Sequence, residues 1–335
     1  MTPLPLALSD RFGRRIEYLR VSLTDRCNLR CVYCMPEAGV PFENLDNVLS
    51  FEELVRIIRV LASVGLKKVR LTGGEPLVRK GVPELAAQLM AIPGLEEVTL
   101  TTNGILLERD AQGLWDAGIR RLNLSMDTLQ EARFEKLARR AEFARAWAGL
   151  ETALAIGFSP IKLNCVLMRG INDDEVAAFG RLTQERPLSV RFLEYMPIGE
   201  VSPAQWRAHY VSNEEALATL QRLWPDLETL NDSPESTSRN FRIPGALGTI
   251  GVINPISHKF CDGCNRLRLT ANGKLVPCLS DNFEYDLIGP LRAGCSDQEI
   301  LEHTAAALVH KPIQSDFEGR LSRGGSLRMM SQIGG

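Results

Sequence analysis

The chain has 335 residues, with 39 Lys and Arg against 41 Asp and Glu, for a formal net charge of −2. At about 150 residues per domain, this length holds two domains or one barrel with an appendix, with a core that needs no disulfide staples. The near-neutral balance excludes a basic nucleic-acid coat and an acidic tail protein, and no run of about 18 apolar residues is present to span a membrane. Met1 to Arg15 carries no charged stretch leading into an apolar block, so a cytoplasmic protein without a leader is expected.

Six β-type runs follow in chain order: Tyr18–Thr24, Lys68–Thr72, Val98–Asn103, Arg121–Asp127, Ile161–Met168 and Val190–Met196. Amphipathic stretches separate them, at Phe51–Val64, Val82–Ala91, Arg109–Ala117, Arg133–Ala155 and Asp173–Glu185. Strands alternating with helices predict a parallel sheet with right-handed crossovers. No dinucleotide fingerprint follows the first strand, so the expected fold class is α/β, a partial (β/α)6 TIM-like barrel. A smaller C-terminal α+β module, with an Asn272-Gly273 hairpin signal, is expected to close the barrel mouth. The expected boundaries are 1–15 for an N-terminal segment, 16–230 for the barrel, 231–240 for a polar linker and 241–335 for the module.

Alternation along the strands separates two faces. Leu19, Val21, Val69, Leu71, Leu122, Leu124, Ile161, Leu163 and Cys165 share the parity that packs against helices. The other parity is polar: Arg20, Ser22, Arg70, Thr72, Thr101, Asn123, Ser125, Asp127, Lys162 and Asn164. A packed barrel interior is normally Val, Ile and Leu, so a polar lumen reads as a binding site. Its three cations, Arg20, Arg70 and Lys162, either pair with Asp127, Glu75 and Glu194 or meet a polyanionic ligand such as a triphosphate.

Eight cysteines in a reducing compartment read as ligands or nucleophiles where they cluster. Cys165 belongs to the core by parity, and Cys295 stands alone. Cys27, Cys31 and Cys34 form C-x3-C-x2-C in the loop after the first strand. That spacing suits zinc with a fourth ligand elsewhere or a 4Fe-4S cluster with one open iron, and the barrel-rim position favours the cluster. The loop D-R-C-N-L-R-C-V-Y-C-M-P-E, with Gly73-Gly74-Glu75-Pro76 after the second strand, resembles the radical S-adenosylmethionine enzymes. The resemblance implies that the open iron chelates S-adenosylmethionine and that its reductive cleavage yields a 5′-deoxyadenosyl radical.

Cys261, Cys264 and Cys278 lie in F-C-D-G-C-N-R-L-R-L-T-A-N-G-K-L-V-P-C-L. A zinc ribbon completed by His258 is one reading; a second open cluster that holds substrate is the other. Arg266 and Arg268 share one parity beside it, as a solvated face or an anion clamp. This block and the terminal M-S-Q-I-G-G resemble the GTP 3′,8-cyclase family, which opens molybdenum cofactor biosynthesis, over nearly the whole chain. The resemblance implies two 4Fe-4S clusters and S-adenosylmethionine contacts at Tyr33, Gly74, Ser125 and Met196. It also implies GTP contacts at Arg20, Arg70, Thr101, Lys162, Arg266 and Arg268. A one-electron donor such as flavodoxin and the following enzyme, cyclic pyranopterin monophosphate synthase, are the implied partners; no nucleic acid or membrane is expected, and a homodimer is allowed. Gly334 and Gly335, behind the apolar Ile333, are implied to enter the active site; the basic Arg320, Arg323 and Arg328 upstream either hold the tail against acidic surface or form a solvated charge run.

Overall fold

In the computed structural model, which describes residues 8–199, 201–231, 236–323 and 328–334, all six expected runs become strands. They are β1 (Tyr18–Ser22), β2 (Lys68–Thr72), β3 (Glu97–Thr102), β4 (Leu122–Ser125), β5 (Ile161–Leu167) and β6 (Leu188–Glu194). Between them run α1 (Phe51–Ala62), α2 (Val82–Met90), α3 (Leu107–Asp116), α4 (Glu131–Ala138), α5 (Phe143–Ile156) and α6 (Val176–Glu185). Local chemistry sets the start of α1. At α1, the Ser50 hydroxyl accepts from Glu53 N at 3.1 Å and the Glu53 carboxylate accepts from Ser50 N at 2.7 Å, a reciprocal cap.

β1 to β6 pair in parallel in chain order, and the helix-facing parity is sealed: Leu19, Val69, Leu71, Leu124, Leu163 and Cys165 are each 0% exposed. The stretch Arg133–Ala155 is two helices, not one. The chain turns at Arg139, with φ of 55°. The final carbonyls of α4 are not handed on to a longer helix. Ala138 O accepts from Arg30 N and Leu137 O from Val32 N, each at 2.9 Å, so α4 ends where it takes hold of the first cysteine loop.

Next come α7 (Pro203–His209), α8 (Asn213–Leu223), β7 (Glu228–Thr229), β8 (Arg239–Arg242), β9 (Thr249–Ile253), β10 (Arg266–Leu269), β11 (Lys274–Val276) and β12 (Tyr285–Asp286). The last helices are α9 (Ile288–Arg292), α10 (Asp297–Val309), α11 (Phe317–Ser322) and α12 (Met330–Ile333). The expected linker is shortened, because β8 begins at Arg239; its residues 232–235 lie outside the described chain. The C-terminal module joins the sheet at both edges. β10 pairs parallel with β1 and β9 parallel with β6, giving the order β12-β11-β10-β1-β2-β3-β4-β5-β6-β9-β8-β7. An open barrel leaves a row of unpaired N–H and C=O groups on each edge strand, and β9 and β10 satisfy both rows. The Asn272-Gly273 turn joins β10 to β11, with Gly273 at φ of 70°. Among the described residues no helix is long and apolar enough to cross a membrane.

Candidate active site

The first cysteine loop leaves β1 and is strapped to the turn after β2. Gly74 N donates to Thr24 O at 2.7 Å and Glu75 N to Arg26 O at 2.8 Å. A Cβ on Gly74 would stand 2.3 Å from Arg26 O, so glycine is required there for the two loops to touch, whatever ligand they share. Tyr33 is fixed from below: its hydroxyl donates to Asp127 Oδ2 at 2.7 Å. Burial pushes the Cys27 thiol up to about 11 and Cys34 up to about 12, and drives Cys31 well above its ordinary value.

On the opposite wall, Cys261 and Cys264 share one turn, Cys264 N donating to Cys261 O at 3.1 Å, and Cys278 follows β11. Both cysteine groups border one cavity of about 790 Å³. Tyr33, Gly74, Ser125 and Met196 line it as well, as do Arg20, Arg70, Thr101, Lys162, Arg266 and Arg268. Residues drawn from six strands and the loops that follow them therefore meet in a space of the size that small-molecule sites occupy.

The cavity is built for negative charge. The strand register sets Arg268 beside Arg20 and Arg20 beside Arg70, a row of three arginines across β10, β1 and β2. Like charges on adjacent strands destabilise a sheet. The expected carboxylate partners do not answer them. Glu75 accepts from Thr102 Oγ1 and Asn103 N, both at 2.7 Å; Asp127 accepts from Tyr33 and Val166 N; Glu194 accepts from Ile256 N and the Ser257 hydroxyl. Among the described residues backbone and hydroxyl donors take all three carboxylates, and no ion pair joins them to Arg70 or Lys162. Thr101 Oγ1, Tyr18 OH and Arg70 Nε are buried with no hydrogen-bond partner among the described residues, three polar atoms left for a ligand.

Further cations line the cavity, Arg121 and Arg191 among them. Arg191 of β6 faces inward, donating to Asn123 Oδ1 at 2.8 Å and Asn164 Oδ1 at 2.9 Å. Its parity was legible beside Val190 and Phe192, but Glu194 interrupts the apolar pattern because backbone N–H groups capture it in the interior. Burial lowers Arg191 to about 9 and Lys162 to about 7, with neighbouring cations adding to each. Lys162 has an ordinary value of 10.5, so between about pH 7 and 10.5 the unfolded chain binds its proton and the folded chain does not. Stability of the ligand-free protein therefore gains from Lys162 as pH rises through that window. Lys162→Met should flatten the slope of denaturation midpoint against pH there; an unchanged slope would show that Lys162 titrates normally.

The tail enters this space. Ile333, 3% exposed, packs with Ile198, Phe317 and Met196. Arg268 Nη1 donates to Gly334 O at 2.9 Å and to Ile333 O at 3.3 Å. Gly334 has φ of 76°, and a Cβ there would lie 2.6 Å from Thr72 Oγ1 and 3.3 Å from Ser22 Cβ. At the other side the Ser331 backbone N–H meets the Cys34 thiol. The described tail thus reaches from the first cysteine group to the arginine strand of the second; Gly335 lies outside the described residues. Upstream, Arg328 pairs with Glu284 at 3.1 Å, Arg320 with Asp281 at 3.7 Å and Arg323 with Asp316 at 2.7 Å, so the basic residues hold acidic surface.

The donor sets fit iron–sulfur clusters. All six thiols are free and half-buried, and thiols so desolvated give up their protons when a metal supplies the opposing charge. His258 does not complete a ribbon: its side chain is 63% exposed and turned toward Glu214. Three thiols without a fourth protein ligand leave one iron of a cluster for a small molecule.

A family model described as Radical SAM superfamily matches residues 21–182, and one described as Molybdenum Cofactor Synthesis C matches residues 188–317. A GTP 3′,8-cyclase of Moorella thermoacetica is 47% identical over 98% of this chain and 100% of its own length. The GTP 3′,8-cyclase of Heliobacterium modesticaldum is 49% identical over 97% of this chain and 99% of its length. Molybdenum cofactor biosynthesis protein 1 of Homo sapiens is 45% identical over 93% of this chain, which spans 49% of that protein. In structure, Streptococcus suis SuiB bound to S-adenosylmethionine matches 81% of this chain and 63% of its own, with TM-score 0.60 at 14% identity, a likeness of fold. The barrel, its two cysteine groups and its full-length relatives agree: this chain belongs to the GTP 3′,8-cyclase family of radical S-adenosylmethionine enzymes.

Proposed function

We propose that this chain converts GTP to 3′,8-cyclo-7,8-dihydroguanosine 5′-triphosphate. Cys27, Cys31 and Cys34 hold one 4Fe-4S cluster, beside which Tyr33, Gly74, Ser125 and Met196 bind S-adenosylmethionine. Cys261, Cys264 and Cys278 hold a second cluster, which receives the guanine end of GTP. When bound, the first cluster and S-adenosylmethionine would supply, with one electron from a donor such as flavodoxin, a 5′-deoxyadenosyl radical able to take the hydrogen from C3′ of GTP; closure of C3′ on C8 of guanine to the 7,8-dihydro product would take a second electron and a proton.

The protein's part is position and exclusion of water. The observation that carries the reading is the arginine row: Arg268, Arg20 and Arg70 stand in register with Lys162 and Arg191 farther round the lumen, while the nearby carboxylates are committed elsewhere. Such a wall recognises a triphosphate. Arg70 and Lys162 are its phosphate contacts, and Thr101 offers a hydroxyl with no protein partner. Arg268 has a double task, because its guanidinium already fixes the tail carbonyls and so couples tail position to the substrate wall. Glu75 and Asp127 act one step back, holding the Asn103 backbone and Tyr33 in place.

Loss of one charge-assisted contact to a buried phosphate costs about 1.5–3 kcal/mol, or about ten- to hundredfold in affinity. Calorimetry on Arg70→Ala and Lys162→Ala should show GTP binding weakened by that much, with iron content unchanged. If both variants bind GTP as the parent does, the triphosphate lies elsewhere and the reading fails.

A further inference from the structure

We propose that the segment from Lys311 to Asp316 is the outer shell of the second cluster, and that Lys311 is a positioning residue whose buried charge favours that cluster's reduced state. This rests on reading Cys261, Cys264 and Cys278 as a cluster site. Lys311 follows α10 and is 2% exposed. Its Nζ donates to Arg266 O and to Pro277 O, both at 2.7 Å, which ties the start of β10 to the residue before Cys278. Among the described residues its hydrogen bonds go to carbonyls, not carboxylates. A buried ammonium without an anion is costly, so its counter-charge has to come from the thiolate group it borders. Lys311 borders the same cavity as Cys264 and Cys278.

The rest of the segment serves the other two thiols. Ser315 N donates to Cys261 Sγ at 3.3 Å. Asp316 N donates to Ser280 Oγ at 3.1 Å, and that hydroxyl lies 3.4 Å from Cys278 Sγ. Each thiol therefore has one donor or cation supplied or held by a single short stretch of chain. The stretch is itself clamped by Arg14, which donates to Pro312 O at 2.6 Å, Ile313 O at 3.0 Å and Cys261 O at 2.9 Å. Asp10 locks that guanidinium through Nε at 2.6 Å. Donors and cations around ligating sulfur disperse the negative charge that builds when a cluster gains an electron, and so raise its reduction potential.

The test is an anaerobic redox titration of the full-length protein carrying both clusters, followed by electron paramagnetic resonance, with iron counted in each sample. The first cluster is identified by its change on adding S-adenosylmethionine. Lys311→Met should retain the parental iron, yet its second cluster should be about tenfold less reduced at a given potential, about 59 mV for a one-electron couple. The first cluster should not move, and Lys311→Arg should return the second close to the parental value. Full iron with an unmoved second midpoint, or equal movement of both clusters, overturns the proposal. If Lys311→Met loses iron, Ser280→Ala, which leaves the lysine in place, should still lower the second midpoint, and an unmoved value there also overturns it. Replacement of Cys261, Cys264 and Cys278 by Ala is the separate control: undiminished iron in that chain would remove the second cluster itself, whatever Lys311 does.

Discussion

Replacing Cys27, Cys31 and Cys34 together with Ala should leave a folded protein that carries about half the iron of the parent and cleaves no S-adenosylmethionine. Anaerobically reconstituted parent should hold about eight iron atoms per chain, four on each cysteine group. Replacing Cys261, Cys264 and Cys278 should remove the other half and spare cleavage of S-adenosylmethionine uncoupled from GTP. The asymmetry follows from the geometry. The first group sits in the loop strapped to the Gly73-Gly74 turn and to Tyr33, whereas the second sits beside β10 with its arginines. Iron and zinc analysis with a 5′-deoxyadenosine assay checks all of these outcomes. Stoichiometric zinc without iron in anaerobic protein would contradict the assignment of both groups.

A substitution at Gly334 should be as damaging to product formation as loss of a cluster, while leaving both clusters intact. Its φ of 76° is open to glycine, and a Cβ would press to 2.6 Å from Thr72 Oγ1 on the lumen wall. Gly334→Val cannot keep the carbonyl that Arg268 holds at 2.9 Å, so the tail leaves the lumen and Arg268 loses its fixed position. Misplacement on the scale of an ångström costs about a hundredfold in rate. Product formation should therefore fall by at least about that factor, with iron content unchanged. Deleting Gly334 and Gly335 should do the same. A variant that forms product at the parental rate would show the tail to be an ordinary frayed end.

How much of this was legible beforehand depended on the range of the signal. Arg20, Arg70 and Lys162 were found because period-two alternation reports the face of a strand directly, and the sealed Leu19, Val69 and Leu163 opposite them confirm it. Arg191 escaped because Glu194, buried among the N–H groups of Ile256 and Ser257, broke the alternation near it. The split between α4 and α5 was hidden for a related reason. Their apolar period runs on across Arg139, and the helix ends because Arg30 and Val32, more than a hundred residues away in sequence, take its carbonyls. Nothing local announces that Tyr18 pairs with Arg266 or Ser189 with Thr249, so the joining of the C-terminal strands to both sheet edges became visible only in the fold. The first cysteine group was the easiest part, because a ligand set on one short loop keeps its spacing in the sequence, whereas β10 and β11 part Cys278 from Cys261 and Cys264. Lys311 and Ser315 lie on one short stretch and Ser280 on another loop, both away from Cys261 and Cys264 in sequence, and they carry no such pattern.

The central claim is that this lumen takes hydrogen from C3′ of GTP, and isotope transfer tests it most directly. The parent protein, carrying both clusters, is incubated without oxygen with S-adenosylmethionine, a one-electron reductant and GTP deuterated at C3′. The 5′-deoxyadenosine formed should carry one deuterium for each molecule of cyclised nucleotide, and GTP deuterated at other ribose carbons should transfer none. Unlabelled 5′-deoxyadenosine beside unconsumed 3′-deuterated GTP, or deuterium arriving from another carbon, would contradict the account.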